Sequence, residues 1–319
     1  MTSGSQLPAG DETGGQRSFI ETMPKAELHL HLEGTLEPGL RNELAARNGL
    51  PLAAVQQDYT DLTSFLAAYY QAMDVLRTEQ DFYDLAMAYF VKASEQQVVY
   101  AEVFFDPQAH TSRGIPFDTV INGIDRARND APLPVQLIMC FLRDKDAGDA
   151  MRTLEQATPH KHKIKGVGLD SDERDNPPVK FKHVFAAARQ EGYRLTMHCD
   201  VDQQDSVRHI WQCLDEIGVE RIDHGVNCLE DKALVDRLSR DEIGLTVCPI
   251  SNRWVTDGLK AAELKSMLDH GLKATVNSDD PAYFGGYITE NFAEVARAAG
   301  LTQQEVEQLA SNAFGISWR

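Results

Sequence analysis

Eight short apolar or β-branched runs recur along this chain, separated by stretches of helical periodicity. That alternation restricts the fold more than any other feature. The runs are AELHLHL (26–32), VVYAEVFF (98–105), VQLIMCFL (135–142), IKGVGLD (164–170), RLTMHC (194–199), RIDHG (221–225), GLTVCPIS (244–251) and KATVNSD (273–279). Between them, sets such as Leu62, Phe65, Leu66, Tyr69, Met73 and Leu76, or Leu234, Val235 and Leu238, follow helical spacing. Strands alternating with helices predict a parallel sheet. Eight such units predict an α/β chain closed as a (β/α)8 TIM barrel. No Gly/Ser linker or compositional break interrupts the series, so residues 18–319 are expected to form a single domain. The interval 33–97 is too long for one helix. It is expected to hold two or three extra helices after strand 1, read chiefly as packing, with cover over the barrel mouth as a second role. Residues 1–17, MTSGSQLPAGDETGGQR, are polar and Gly-rich without an apolar signal core, and read as a flexible tail.

Composition narrows the partners. With 31 Lys+Arg against 49 Asp+Glu the net charge is −18, which opposes nucleic acid and anionic membranes. No run reaches the roughly 18 apolar residues that a bilayer span needs. The five cysteines are odd in number and form no C-x-x-C pair, which favours a reduced, cytoplasmic setting over a disulfide scaffold. A small-molecule ligand fits all of this, and a homo-oligomer is left open.

Titratable residues crowd the C-terminal strand ends, where this fold keeps its chemistry. On the first run Glu27, His29, His31 and Glu33 alternate with leucines, so period two puts them on one face. His198 closes the fifth run, His224 the sixth, and Asp279 and Asp280 the eighth. A lone strand histidine is ordinarily a hydrogen-bonded core residue. Four histidines and a carboxylate at four homologous strand ends are a metal-site pattern; imidazoles with one carboxylate suit Zn²⁺ with an open position for water, and the residue types alone also admit iron or another divalent ion. No lysine stands at the end of the fourth run to bridge a second ion, since Lys163 and Lys165 come too early. One metal is therefore expected.

The stretches KAELHLHLEGTLEP, HCDVDQ, RIDHGVN, VCPIS and TVNSDDPAYFGG resemble the adenosine/adenine deaminase family of the amidohydrolase superfamily, from about residue 20 to 315. The resemblance implies a distorted (β/α)8 barrel holding one zinc through His29, His31, His198 and Asp279. It implies His224 beside the activated water as base or electrostatic partner, and Asp280 hydrogen-bonded to the purine N7. The implied reaction is water attack at C6, loss of ammonia and formation of a 6-oxopurine. An acid must protonate N1 for the ring to accept the attacking electrons.

At one point the chain departs from the pattern. Many members of the family have H-A-G-E at strand five, with the glutamate as the N1 acid, but here the sequence is His198-Cys199-Asp200-Val201. Valine does no acid–base work. Asp202, one residue further on, is the preferred substitute, with Asp200 its rival and Asp205 too distant; both acids could instead cap the next helix. The H-L-E-G form at Glu33, with GLDS (168–171) and FFDPQ (104–108), resembles the adenine deaminase branch, the longer carboxylate filling the space of a sugar. Adenine to hypoxanthine is thus the expected reaction, in purine salvage. Adenosine and N6-substituted adenines are alternative substrates, and a non-catalytic purine-binding protein is the contrasting class.

Overall fold

The structure, a computed structural model, describes residues 10–51, 62–256 and 258–319. Eight parallel strands follow one another in sequence order: β1 (Lys25–Glu27), β2 (Val98–Phe105), β3 (Val135–Leu142), β4 (Gly166–Asp170), β5 (Arg194–Cys199), β6 (Arg221–His224), β7 (Gly244–Val247) and β8 (Lys273–Val276). The pairing is narrowest between β4 and β5, with two registered pairs, Gly166↔Arg194 and Val167↔Leu195. Past the end of β8 the ring meets the segment after β1 through a parallel bridge, Leu30↔Asp279. There the Asp279 N–H donates to the His29 carbonyl (3.1 Å) and the His31 N–H to the Asp279 carbonyl (3.0 Å). The sheet is a nearly closed (β/α)8 barrel, as the alternation predicts.

Period two sorts the side chains of each strand. On β2, Ala101, Val103 and Phe105 join the large apolar layer shared with the surrounding helices, while Phe104 packs with Ile138, Cys140 and Trp318. Polar residues share that interior. The fully buried Arg221 and Glu102 pair at 2.5 Å, and Trp318, next to the chain's last residue, lies 4.4 Å from the guanidinium.

Several elements differ from the sequence expectation. β1 stops at Glu27 instead of running to residue 32, because the next backbone donor, Leu28 N–H, is taken by the Asn277 side chain (2.9 Å). β7 ends early because Pro249 opens the helix Pro249–Val255, where a missing N–H is no loss. β6 ends at His224, where φ (59°) turns into the left-handed region, and β8 ends at Val276, three residues before Asp279 makes the same turn (φ 65°). The interval after β1 holds the helices Pro38–Arg47, Leu62–Ala72 and Glu79–Glu95, the last opened by a Thr78/Asp81 capping box; its residues 52–61 lie outside the described residues. Of the expected tail, residues 1–9 are likewise outside, but Gly10–Thr22 is a helix. The reason is apolar anchorage: Ile20 and Met23 are buried in the core.

Removing one member of a buried ion pair leaves the other charge uncompensated, at a cost of about 3–5 kcal/mol. Arg221→Met is expected to lower the thermal midpoint by several degrees, read by calorimetry at fixed metal content. An unchanged midpoint would show that the Glu102 charge is compensated elsewhere.

Candidate active site

The site is built around three imidazoles whose inner nitrogens are each engaged by protein oxygen. His198 Nδ1 lies 3.1 Å from the Leu169 carbonyl, which can only accept, so Nδ1 carries the proton. His29 Nδ1 lies 2.9 Å from Thr246 Oγ1. The Thr246 hydroxyl donates to Asp223 Oδ1 (2.9 Å), so it accepts from His29. His31 Nδ1 lies 3.4 Å from Asp170 Oδ2. Each Nε2 is then a bare lone pair. These lone pairs converge: His198 Nε2 is 3.1 Å from both His29 Nε2 and His31 Nε2, and Asp279 Oδ1 is 3.4 and 3.5 Å from the same two.

Four electron-rich atoms this close repel one another unless a cation lies between them. Separations of 3.1–3.5 Å between neighbouring donors leave one cation a place among them, and imidazole nitrogens with a carboxylate oxygen suit a zinc-type divalent ion. Burial lowers the pKa of His31 to about 4 and that of His198 well below the usual imidazole range, which keeps both unprotonated for ligation. Burial opposes charge on Asp279 too, but the histidines around it hold its carboxyl well below the usual range. Cys248, which shares a cluster with His29, His224 and Asp279, has its thiol pushed up by burial. Sequence reasoning passed over it, because a single buried cysteine carries no spacing signal.

His224 sits beside this cluster, its Nε2 3.5 Å from Asp200 Oδ1 and 3.7 Å from Asp279 Oδ2. Burial lowers its pKa to about 4. Asp200 follows β5 directly and faces inward, its backbone N–H donating to Glu173 Oε2 (2.8 Å). Burial, with the Glu173 charge, raises its carboxyl well above the usual range. Asp202 also reaches the pocket but is exposed at its rim, accepting from Gln203 Nε2 (2.8 Å). Asp200, and not the expected Asp202, is thus the carboxyl placed beside His224. The chain turns immediately after the strand, so the residue nearest the strand end faces His224 and the longer reach is directed outward. Glu173 also accepts from His209 and lies 3.4 Å from Arg143 Nη1, which donates to the His198 carbonyl (2.9 Å). This frame behind Asp200 went unread because no periodicity marks it.

Asp280 lines the same pocket, and its Oδ1 has no partner among the described residues. Burial and the neighbouring Asp279 raise its carboxyl well above the usual range. The chain at Gly34 approaches so closely that a Cβ there would lie 2.7 Å from the Asp280 Cα. Glu33, expected on the histidine face against the substrate, is not on the pocket wall. It opens a 3-10 turn, Glu33–Thr35, so the period-two alternation of residues 27, 29 and 31 does not extend to it. Its Oε1 lies 2.7 Å from His110 Nε2 and accepts the Asp106 N–H (3.2 Å).

The pocket, open to solvent on one side, spans about 630 Å³ at the C-terminal ends of the strands, partly covered by Leu62, Phe65 and Tyr69 of the helix Leu62–Ala72. Six aspartates line it, with no lysine or arginine among the described residues.

The family described as Adenosine deaminase matches residues 24–319. The chain belongs to this family. A fellow deaminase, the adenine deaminase of Chlorobium phaeobacteroides, is 48% identical over 313 residues, covering 94% of this chain and 93% of its own. Among solved structures of this deaminase type, the adenine deaminase of Arthrobacter aurescens is 42% identical with TM-score 0.88, covering 93% of this chain and 94% of its own. An amidohydrolase of Burkholderia ambifaria, solved with bound Zn, is 26% identical with TM-score 0.86, covering 99% and 90%.

Two outcomes follow from this geometry. Gly34→Ala is expected to displace Asp280 and lower kcat/KM by about 10-fold or more while metal content holds; equal kinetics would show that the turn relaxes without moving the carboxyl. The second concerns pH. An unfolded histidine has its ordinary value near 6.5, whereas His31 and His224 fall to about 4 when folded. Between these values the unfolded chain binds more protons at these two positions, so their contribution to stability is lost as pH drops from about 6.5 towards 4, while the raised Asp200 and Asp280 carboxyls act in the opposite sense. Denaturant titration of chelator-treated wild type and His224→Asn isolates the histidine share: the stability of wild type relative to the variant should fall as pH drops.

Proposed function

We propose that this protein hydrolyses the exocyclic C–N bond of adenine, giving hypoxanthine and ammonia, with one zinc ion per chain held by His29, His31, His198 and Asp279. The observation that carries the reading is one pocket holding both the four-donor cluster and two further carboxyls, Asp200 and Asp280, each pushed towards its protonated form. Identity to proteins named adenine deaminase supports adenine as the purine.

A divalent ion at the cluster supplies the Lewis acidity that makes water nucleophilic near neutral pH. The chain's own groups manage the protons. Neutral His224 accepts one proton from the attacking water as its oxygen bonds to C6. Protonated Asp200 gives its proton to N1, so the ring electrons have somewhere to go, and protonated Asp280 donates a hydrogen bond to N7. His224 then passes its proton to the amine, which leaves as ammonia. The remaining hydroxyl proton returns to Asp200, leaving C6=O and N1–H. Adenine plus water thus balances hypoxanthine plus ammonia.

Six pocket aspartates without a lysine or arginine among the described residues oppose a phosphate group, so purine nucleotides are poor candidates; adenosine is the alternative substrate. We place the protein in the cytoplasm, where its five free, buried cysteines stay reduced. No helix among the described residues is long and apolar enough to cross a membrane.

The test is ammonia release from adenine and adenosine side by side, with zinc measured on the same sample. Adenine is expected to have much the higher kcat/KM; the opposite order overturns the substrate. His198→Ala is expected to lose metal and activity together. Asp200→Asn is expected to keep its metal while kcat falls by about 10²–10⁴, with Asp202→Asn close to wild type. A dead Asp202→Asn beside an active Asp200→Asn would exchange their roles.

A further inference from the structure

Two pocket carboxyls have no part in the chemistry just described. Asp106 follows β2 and Asp170 ends β4; they are 2% and 3% exposed and line the same pocket as His198 and Asp280. An oxygen of each lies within 4.8 Å of the other and of a His31 nitrogen. Asp106 Oδ1 and both oxygens of Asp170 lack a hydrogen-bond partner among the described residues. Buried acceptors without donors are costly, and two carboxyls face to face without a cation are more so. Neither residue is needed to build the barrel: the strand pairings Phe105↔Met139 and Leu142↔Asp170 are made by backbone.

A second cation is one answer, since His31, Asp106 and Asp170 could hold an ion. The histidine argues against it. His31 Nε2 faces His198 and Asp279, and His31 Nδ1 faces Asp170, so a proton on Nδ1 points towards Asp170 and orients the ring for the first ion. A cation bound at Nδ1 would need that proton gone; at 3.4 Å the proton points at Asp170 without meeting its need for a donor, so the Asp170 oxygens remain open. The pocket's other acceptors suggest what approaches instead. With C6 over the cluster, N1 towards Asp200 beyond β5 and N7 towards Asp280 beyond β8, the remaining N3–N9 edge of a purine points away from His224. In an eight-strand ring β2 stands opposite β6, and β4 opposite β8. Asp106 and Asp170 therefore lie on the arc that this edge must face.

We propose that the Asp106 carboxyl, flanked by Asp170, accepts the ring N–H of a free purine base and so selects the base over its nucleoside. The assignment rests on the adenine reading above and adds the group that distinguishes adenine from adenosine. A free base carries a hydrogen on N9; a nucleoside carries carbon there, which would leave the acceptors unpaired and crowd them. Glu33 acts through Asp106 as a positioning residue. It accepts the Asp106 N–H and is held in turn by His110, whose Nδ1 lies 2.8 Å from Arg113 Nη2. The sugar space is thus closed by the residue that Glu33 holds, while Glu33 itself stays behind the wall.

The test compares adenine with 9-methyladenine, which keeps the C6 amine and lacks the N9 hydrogen. Wild-type enzyme is expected to prefer adenine by at least about 100-fold in kcat/KM, because a site built around a substrate N–H rejects an analogue without it. In Asp106→Ala the adenine value should fall, mostly through KM, while the 9-methyladenine value holds or rises, so that the preference collapses. Glu33→Gln should shrink it partially. Zinc content should remain at one per chain in all three proteins. Equal loss on both substrates, or no preference in wild type, overturns the assignment, as does a second tightly held metal lost on Asp106→Ala. Binding of hypoxanthine and 9-methylhypoxanthine, measured by calorimetry, separates this idea from the deamination reading. A wild-type preference for hypoxanthine that Asp106→Ala abolishes, in a protein that releases no ammonia, would support the base contact and sink the reaction. Equal binding alongside fast adenine turnover would do the reverse.

Discussion

Three imidazole lone pairs and a carboxylate oxygen are held 3.1–3.5 Å apart at the open end of the barrel. Nothing among the described residues neutralises that concentration of electron density. Each histidine has its proton committed to an inner partner, so none can turn a donor inward, and burial disfavours a second proton on His31 and His198. The surrounding protein must hold the arrangement against its own repulsion, and much of the polar interior is engaged in doing so.

The restraint reaches through the barrel. His29 is fixed by Thr246, Thr246 by Asp223, Asp223 lies 3.4 Å from Arg221, Arg221 pairs with Glu102, and Glu102 also accepts the Trp318 N–H at 2.5 Å. This polar line runs from the catalytic end down the interior of an otherwise apolar sheet. Burial of such groups is tolerated where every member finds a partner, and the result is rigidity more than stability. Local strain fits the same picture. His224 and Asp279 are non-glycine residues with positive φ, a conformation that persists where the surroundings over-determine it.

The sequence made the frame legible because its signals are periodic. Alternating runs gave eight strands, and period two put His29 and His31 on one face. What it could not give were features set by where a period breaks. The chain leaves the strand register after His31, so Glu33 swings behind the wall into contact with His110 instead of continuing the series. It turns at once after Cys199, so Asp200 faces His224 and Asp202 the rim. Asp106, Arg143 and the pair Asp170 and Glu173 come from the ends of three different strands, β2, β3 and β4, and their contacts are a product of closure that no local pattern announces. A helix over residues 10–17 was equally hidden, since its polar, Gly-rich composition is that of a loose tail and its anchorage comes from residues downstream.

Closure also sets an order of events during synthesis. Asp279 joins His29 and His31 by backbone hydrogen bonds spanning about 250 positions of the chain. Domains fold as the ribosome extrudes them, N-terminal parts first. Until β8 emerges, the nascent sheet has raw edges at β1 and β7, and three imidazoles wait without their carboxylate. Metal capture is therefore a late step, coupled to completion of the ring and not to its nucleation. A chain stalled or cut before β8 would be left with open strand edges available to other chains, so incomplete products of this gene are expected to be handled by the cell as aggregation hazards, not as partly active enzyme.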